Sequence, residues 1–428
     1  MTTTGFSGDI IGPDTAEYPA ASRTMLVTGS PALILRPAGV ADVQAAIRLN
    51  AGRHLSVRGG GHSFAGFGTN DGGVVIDLSR LAEVSVIDKD RHIVRIGGGA
   101  TWGQVATALA PHNLAISSGD TRSVGVGGLT LTGGIGWKVR KYGLALDSLV
   151  AAELVTASGE VVRADAGENA ELFWALRGGG GNFGIVTAFE FAAHPTTDVF
   201  HGRIAFPAAE AGAVLQGWAD YMRTAPEDLT AIASFANPFA GGAEAPVEVH
   251  VVIDSDDPAL AAEALDPIRA LGTVIADEVV LKAYADVLVD GMVPPPGVRF
   301  VSRGVFVDEE SVPDALRVLV EIGASGQSPA IAIRSVGGAV ARVPGDATAY
   351  AHRQAELMVM TGTVNQEQTA TRDRLEPYVS GAYANFLSSA TDADVRAVYP
   401  PETYRRLAAV KREYDPGNLF AGNHNVRP

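Results

Sequence analysis

The sequence predicts an α+β protein in two parts. Residues 1–199 are dominated by short apolar or alternating segments split by glycine and polar turns, the signature of small sheets with flanking helices. From residue 200 the glycine clusters thin out, and strand patterns alternate with amphipathic helical ones, as in a sheet covered on one side by helices. The chain's 428 residues exceed what one ordinary core organises.

The elements follow in order. "LILRPAGVADVQAAIRLNAG" reads as strand, turn and helix, with Val43 and Ile47 on one helical face. "LSVRGGG" is a strand running into a glycine turn, and "GGVVIDLS", "EVSVIDKDRHIVRIGGG" and "SLVAAELVTASGEVVRA" read as further strands. "ATWGQVATALAPHN" fits a helix with Val105 and Leu109 inward. "NAELFWALRGGGGNFGIVTAFEF" reads as helix, glycine loop and strand. In the second part, "AEAGAVLQGWADYMR" places Val214, Trp218 and Tyr221 on one helical face, and "VEVHVVID" alternates as a strand. "DPALAAEALDPIRALG" opens on Asp257-Pro258, an N-cap and first-turn pair. "RFVSRGVFV" is a strand, and "SVPDALRVLVEIG" a helix expected to end at Gly323. The tail, "YRRLAAVKREYDPGNLFAGNHNVRP", reads as a helix, a turn and an extended end.

Composition narrows the chemistry. Apolar residues are 46% and charged residues 19%, a globular balance. The 33 basic against 48 acidic residues leave a net charge of −15, which argues against a nucleic-acid partner. There is no cysteine, so disulfides, thiolate metal sites and any cysteinyl cofactor bond are excluded. The first residues show no basic-then-apolar leader, and no apolar run approaches the ~18 residues of a membrane span. A cytoplasmic protein without membrane or metal is expected.

Fifty glycines are present, and much of that glycine is clustered. "GVGGLTLTGGIG" (125–136) lacks the G-x-G-x-x-G spacing of a dinucleotide fingerprint and the G-K-[ST] of a triphosphate loop. It reads equally as a tight turn or as backbone N–H groups converging on an anion. "LRGGGGNFGIVT" (176–187) is either a loop before a buried strand or backbone brought against a ligand. In "SVRGGGHSFAGFG" (56–68), Arg58 suits a pyrophosphate or an anionic ring edge. His62 is an odd phosphate ligand, and a lone histidine is commonly structural.

Taken together, R-G-G-G-H, V-G-V-G-G…G-G-x-G, G-G-N-F-G-I-V-T and Y-D-P-G-N-L-F…N-H-N, in that order, resemble the berberine bridge enzyme-like flavoproteins. These belong to the vanillyl-alcohol oxidase superfamily, with a para-cresol methylhydroxylase-type FAD domain. "GGAVARVPGDATAYAHR" and "AYANF" look like the family's substrate domain. The resemblance covers nearly the whole chain. It implies an FAD-binding domain at 1–199 (family core from about residue 30), a substrate-binding domain with an antiparallel sheet at 200–386, and a tail, 387–428, that returns to the flavin. It also implies FAD bonded through its 8α-methyl carbon to His62, a bond that raises the flavin's potential. The cofactor-binding set carried over is Arg58, Gly59, Gly60, Gly61, His62, Ser63 and Gly68, then Gly119, Asp120, Thr121, Ser123, Val124, Gly127, Gly128 and Gly134. Gly184, Val186, Asn423 and Asn425 complete it.

The chain departs from the family's pattern in places. Many relatives form a second flavin bond from a cysteine where Thr121 stands, so attachment through His62 alone is implied, as in bacterial monocovalent members. Family histidine and tyrosine positions hold Leu129 and Ile135 (followed by Trp137). Met358 or Val359 lies near a family glutamate or glutamine, and Phe386 replaces a family tyrosine. Usual base positions are therefore apolar. Either the substrate needs little base help, or Tyr383, Lys138 or Arg303 acts, with Trp137 as a pocket wall; Tyr383, Trp137 and Arg303 are carried forward as catalytic candidates. The residue before G-V-G-G is Val124, and the family association of valine there with oxidases implies a hydrogen peroxide-forming oxidase. It would use a small-molecule substrate and O2 and exist as a monomer or homodimer. The reaction implied is hydride removal from a C–H bond next to oxygen or nitrogen; a dehydrogenase with another acceptor, an oxidative cyclase and a non-redox binding protein on the same scaffold are the alternatives.

Overall fold

The computed structural model describes residues 5–50, 52–235, 245–291, 293, 295, 297–325, 328 and 330–428. Among these residues the strands form four sheets. The first is made by β1 (Asp9–Ile11), β2 (Leu33–Arg36), β3 (Leu55–Arg58) and β4 (Val74–Asp77), in the order β1-β2-β4-β3. β2, β4 and β3 run parallel, with helix α1 (Val40–Leu49) as the crossover from β2 to β3. Parallel strands are buried on both faces, hence the unbroken apolar run Val74-Val75-Ile76 at the sheet's centre.

The second sheet is antiparallel. β5 (Val84–Asp88), β6 (Ile93–Gly97), β7 (Leu149–Val155), β8 (Val161–Asp165) and β9 (Ile185–Ala192) pair in the order β5-β6-β9-β7-β8. Helix α2 (Trp102–Leu109) opens on a Thr101–Gln104 capping box and buries Val105 and Leu109, as its periodicity predicts. The glycine string at 125–136 differs from expectation. Part of it is a helix, α3 (Val126–Thr132). Val126, Leu129 and Leu131 sink into the core, and this burial overrides the poor helix propensity of Gly127 and Gly128. Helix α4 (Ala170–Leu176) precedes the second glycine loop and β9.

The third sheet is centred on β10 (Val199–Phe206), β11 (Leu229–Phe235), β12 (Val247–Ile253), β13 (Phe300–Val307), β14 (Ala330–Ser335) and β15 (Leu357–Val364). They pair antiparallel in the order β10-β12-β11-β14-β15-β13, with short strands at 276–277 and 280–282 on β10 and 381–382 on β13. Helices α5 (Ala211–Met222), α6 (Pro258–Arg269) and α7 (Val312–Ser325) cover one face, where Val214, Trp218, Leu265 and Leu319 meet Val305, Ile333 and Val359. The other face turns Phe306 and Met358 toward Ile135, Tyr350 and Tyr383. Helix α7 runs through Gly323 rather than ending there. The missing side chain admits the Phe235 ring, whose Cε1 lies 3.0 Å from where a Cβ would stand.

Helix α8 (Pro401–Tyr414) leads into the tail. Lys411 and Asp415, both 0% exposed, are bonded at 2.7 Å. The Lys411 ammonium also donates to the carbonyls of Asn182 (2.7 Å) and Phe420 (3.0 Å), while the Asp415 carboxylate accepts from the N–H groups of Leu419 and Phe420. The pair thus pins the tail to the glycine loop at 178–184. Burial pushes the Lys411 ammonium down, so its charge depends on Asp415. Lys411→Met, which strands a buried carboxylate, is expected to lower stability by about 3 kcal/mol in urea unfolding followed by tryptophan fluorescence.

Candidate active site

One cavity of about 490 Å³ lies where the glycine clusters, the third sheet and the tail converge. Its founding contact is between Gly60, after β3, and Gly125, before α3. A Cβ on Gly60 would stand 2.7 Å from both Gly125 Cα and Ser123 O, and one on Gly125 would stand 2.9 Å from Gly60 Cα. Only glycine permits this approach. By contrast, a Cβ at Gly128 or Gly181 would meet nothing within 4 Å, so these wall positions leave backbone exposed to the cavity. The carboxamide oxygens of Asn418, Asn423 and Asn425 and the Tyr399 hydroxyl are buried without a partner in the chain. Of these, Asn423 and Tyr399 are on the cavity wall, and a glycine-lined wall with such unused polar atoms fits a long cofactor carrying a pyrophosphate and a polar ring edge.

Of the residues singled out in the sequence, Arg58, Gly59, Gly60, Gly61, His62, Ser63 and Gly68 line this cavity, as do Gly119, Asp120, Thr121, Val124, Gly127, Gly128, Gly184, Val186, Asn423 and Tyr383. His62 and Thr121 come from different clusters yet face one spot. A Cβ on Gly291 would lie 3.2 Å from His62 Cε1 and 3.2 Å from Thr121 Cγ2. Burial pushes the His62 imidazole below its ordinary range, so at neutral pH it is uncharged and keeps a nucleophilic lone pair.

Arg58 has a different task from the anion contact expected of it. Its guanidinium donates to Asp77 (2.9 Å) and to the carbonyls of Ala21 (2.7 Å) and Arg23 (3.2 Å). Burial raises the Asp77 carboxyl, but the Arg58 charge more than offsets it and leaves it below the usual range. Arg58 thereby fixes the end of β3 from which the glycine turn departs. Asp120 is held similarly, by Arg334 of β14 at 2.8 Å and by the Thr121 hydroxyl at 2.9 Å. Burial pushes its carboxyl up and Arg334 more than compensates. The Arg334 guanidinium lies 5.0 Å from the centre of the Phe386 ring, a cation–π contact behind the cavity wall.

Tyr383 reaches the cavity, but its oxygen accepts from the Gly134 N–H (3.0 Å), the Ile135 N–H (3.2 Å) and the Asn385 amide (2.9 Å). Burial raises its pKa despite these donors, so it stays protonated at neutral pH and clamps the turn at 134–135. Trp137 is not on the wall. It is in the core, edge-on to His201 at 5.5 Å. Arg303 sits on the helix-covered side of β13 and pairs with Glu376 at 3.1 Å, because alternate strand residues face opposite ways. Phe300 of the same strand does line the cavity. The same parity puts Val359 on the helix side and Met358 in a neighbouring core, while Met360 reaches the wall. Lys138 is buried against Asp254 and Thr196. Ser123 directs its carbonyl at Gly60, and Gly134 faces Ala145 and Tyr383. Asn425 lies outside the wall while His424 lines it, since the chain bends at an Asn423–Ala421 backbone bond of 2.9 Å.

Several wall residues were not read from the sequence: Phe64, Asn385, Tyr399, His424 and, behind them, Arg334. The one signal for Arg334 was a lone charge in the strand-like "AIAIRS".

Residues 31–165 match the family model described as FAD binding domain, and residues 382–427 match the model described as Berberine and berberine like. The (R)-6-hydroxynicotine oxidase of Paenarthrobacter nicotinovorans is 31% identical over 462 aligned positions, covering 100% of this chain and 98% of that protein. The glucooligosaccharide oxidase of Sarocladium strictum is 45% identical over 166 residues, 38% of this chain and 33% of that one. Among solved structures, 6-hydroxy-D-nicotine oxidase from Arthrobacter nicotinovorans superposes with a TM-score of 0.86 at 28% identity, over 99% of this chain and 98% of that one. Xylooligosaccharide oxidase from Myceliophthora thermophila, with xylobiose, gives 0.86 at 26%, over 98% and 97%.

The Asp120–Arg334 pair yields a test. The depressed Asp120 carboxyl adds stability that is present above the unfolded pKa of about 3.9 and is lost as pH falls through its lower native value. Arg334→Met is expected to cost roughly 2 kcal/mol at pH 7, between the limits for exposed and fully buried pairs. The cost should shrink in urea titrations run below pH 4, once the carboxyl is protonated.

Proposed function

Because this chain belongs to the FAD-linked oxidoreductases of the berberine bridge enzyme-like family, we propose that it is an oxidase that holds FAD in the glycine-lined cavity through His62 alone and returns electrons to O2. The observation that carries this reading is the meeting of neutral His62, cysteine-free Thr121 and Val124 on one cavity wall. FAD, when bound, supplies the two-electron chemistry on a C–H bond next to oxygen or nitrogen. The backbone N–H groups of Gly59–Gly61 and of Gly127 and Gly128 would hold its pyrophosphate, and Asn423 would meet a polar edge. His62 would attach the 8α carbon. Thr121 offers a hydroxyl in place of a thiolate, and the chain has no cysteine to make a second bond.

In this reading residues 1–199 with 387–428 form the FAD domain and 200–386 the substrate domain. The substrate lies between the flavin and the third sheet. Tyr383 and Asp120 on the wall are engaged, which favours a substrate that gives up its hydride without prior proton removal, and His424, bonded through one ring nitrogen to the Ser389 carbonyl, is the base candidate that is left. Among the described residues no helix is long and apolar enough to cross a membrane. The acidic, cysteine-free chain suits a cytoplasmic monomer or homodimer.

Val124 narrows the wall beside the cavity, and one added methylene can close the void that O2 needs. Val124→Leu is expected to slow air reoxidation of the photoreduced protein on the order of tenfold, about 1.4 kcal/mol of barrier, while flavin reduction by substrate changes far less. Rapid mixing measures both. Wild-type flavin that stays reduced in air-saturated buffer would instead support the dehydrogenase reading.

Removal of residues 421–428 takes away the Val426 N–H and His424 carbonyl that bond Asn182, together with Asn423. The truncated chain is expected to purify with little flavin, read from the ratio of visible to protein absorbance. Full flavin loading would contradict a role for the tail.

A further inference from the structure

The part of the cavity wall contributed by residues 200–398 is largely apolar. Phe300, Ala330 and Met360 reach it from three adjacent strands, and Phe386 comes from the turn after the sheet's last strand. Phe64, two residues beyond His62, faces two of these rings, with centroids 6.0 Å from Phe300 and 5.6 Å from Phe386. Three separate chain segments thus bring aromatic rings to one side of the cavity.

Most polar groups nearby are engaged within the chain; the Nε and Nη1 of Arg334, buried behind Phe386, are an exception. The Tyr383 oxygen accepts three N–H donors. Asn385 uses its amide on Tyr383 and its carbonyl oxygen on the Thr132 hydroxyl at 2.5 Å. The Asp120 carboxylate is neutralised by Arg334. The unpartnered Tyr399 hydroxyl stands beside Gly180, 3.5 Å from where a Cβ would be, in the glycine-loop wall. A ligand against the rings therefore meets no unpaired charge and few free hydrogen-bonding groups, the Tyr383 O–H among them, since its oxygen only accepts in the bonds above. A saccharide would bury many hydroxyls without partners there, at a cost that apolar contact does not repay. A flat apolar molecule would stack or pack edge-on against the rings and leave no polar group stranded.

We propose that the substrate is a flat, predominantly aromatic molecule bound in uncharged form, and not a saccharide. This rests on the oxidase reading above. The wall selects by ring contact through Phe64, Phe300 and Phe386, and excludes ions because it offers no counter-charge.

The test is equilibrium binding to the purified, flavin-loaded protein, followed as a perturbation of the flavin absorption spectrum. Indole is the uncharged aromatic probe and cellobiose the saccharide probe. Indole is expected to give a saturable perturbation at a concentration at least about tenfold below any effect of cellobiose, a difference of one decade in Kd. Phe386→Ser and Phe300→Ser are each expected to weaken indole binding about tenfold, in line with loss of an aromatic anchor, with unchanged flavin content. The comparison of the two probes on the unmodified protein holds whatever becomes of the variants. Tighter binding of cellobiose, or no perturbation by indole at all, overturns the inference. Saccharide preference in a yellow protein that reoxidises in air counts against this inference alone, whereas a colourless protein counts against the oxidase reading.

Discussion

The backbone contact between Gly60 and Gly125 is the constraint on which the rest of the site depends. It joins the end of the parallel sheet to the start of α3 at a separation no side chain allows. Two regions far apart in the chain then present their backbones to the same space, and His62 and Thr121 follow from them onto one wall. Glycine at these positions costs conformational entropy on folding. That cost is offset by the cores on either side, where Val74, Ile76 and Leu55 pack below and Val126, Leu129 and Phe189 above.

Polar pairs at and behind the cavity wall fix the angles of approach. Arg58–Asp77 holds the strand end, Asp120–Arg334 ties the loop at 119–124 to the third sheet, and Lys411–Asp415 ties the tail to the glycine loop through Asn182. Each is buried or half-buried; Arg58–Asp77 and Asp120–Arg334 join separate segments, while Lys411–Asp415, four residues apart, does so through the Asn182 carbonyl. This is the arrangement in which a charged pair specifies geometry more than it adds stability. The third sheet then closes the cavity with its uncovered face, so the helices α5, α6 and α7 act only from behind.

Much of this architecture was legible in the chain. Period-two and period-3.6 patterns located most strands and helices, and the glycine clusters marked the backbone that would lie open to the cavity. What could not be read depended on register. Arg303 and Phe300 lie three residues apart on one strand, and only the pairing of β13 with β15 decides that Phe300 faces the cavity and Arg303 the helices. Trp137 follows the glycine string closely, but the path of the turn sends its ring into the core beside His201. Arg58 carries the charge that suits a phosphate, yet Asp77, adjacent to it in the parallel sheet, claims its guanidinium. Arg334 carries no local signal of its pairing, because its partner, Asp120, is remote in sequence. Helix α3 was hidden by glycines whose low propensity is overridden by the burial of Leu129 and Leu131.

The central claim is that the two glycine clusters hold FAD and that His62 alone bonds it. The most direct measurement is peptide mapping of the acid-denatured protein with detection of flavin absorbance and mass. A yellow precipitate and a single flavinylated peptide, the one containing His62, are expected. Flavin released wholly into the supernatant, or carried on a peptide that lacks His62, would contradict it.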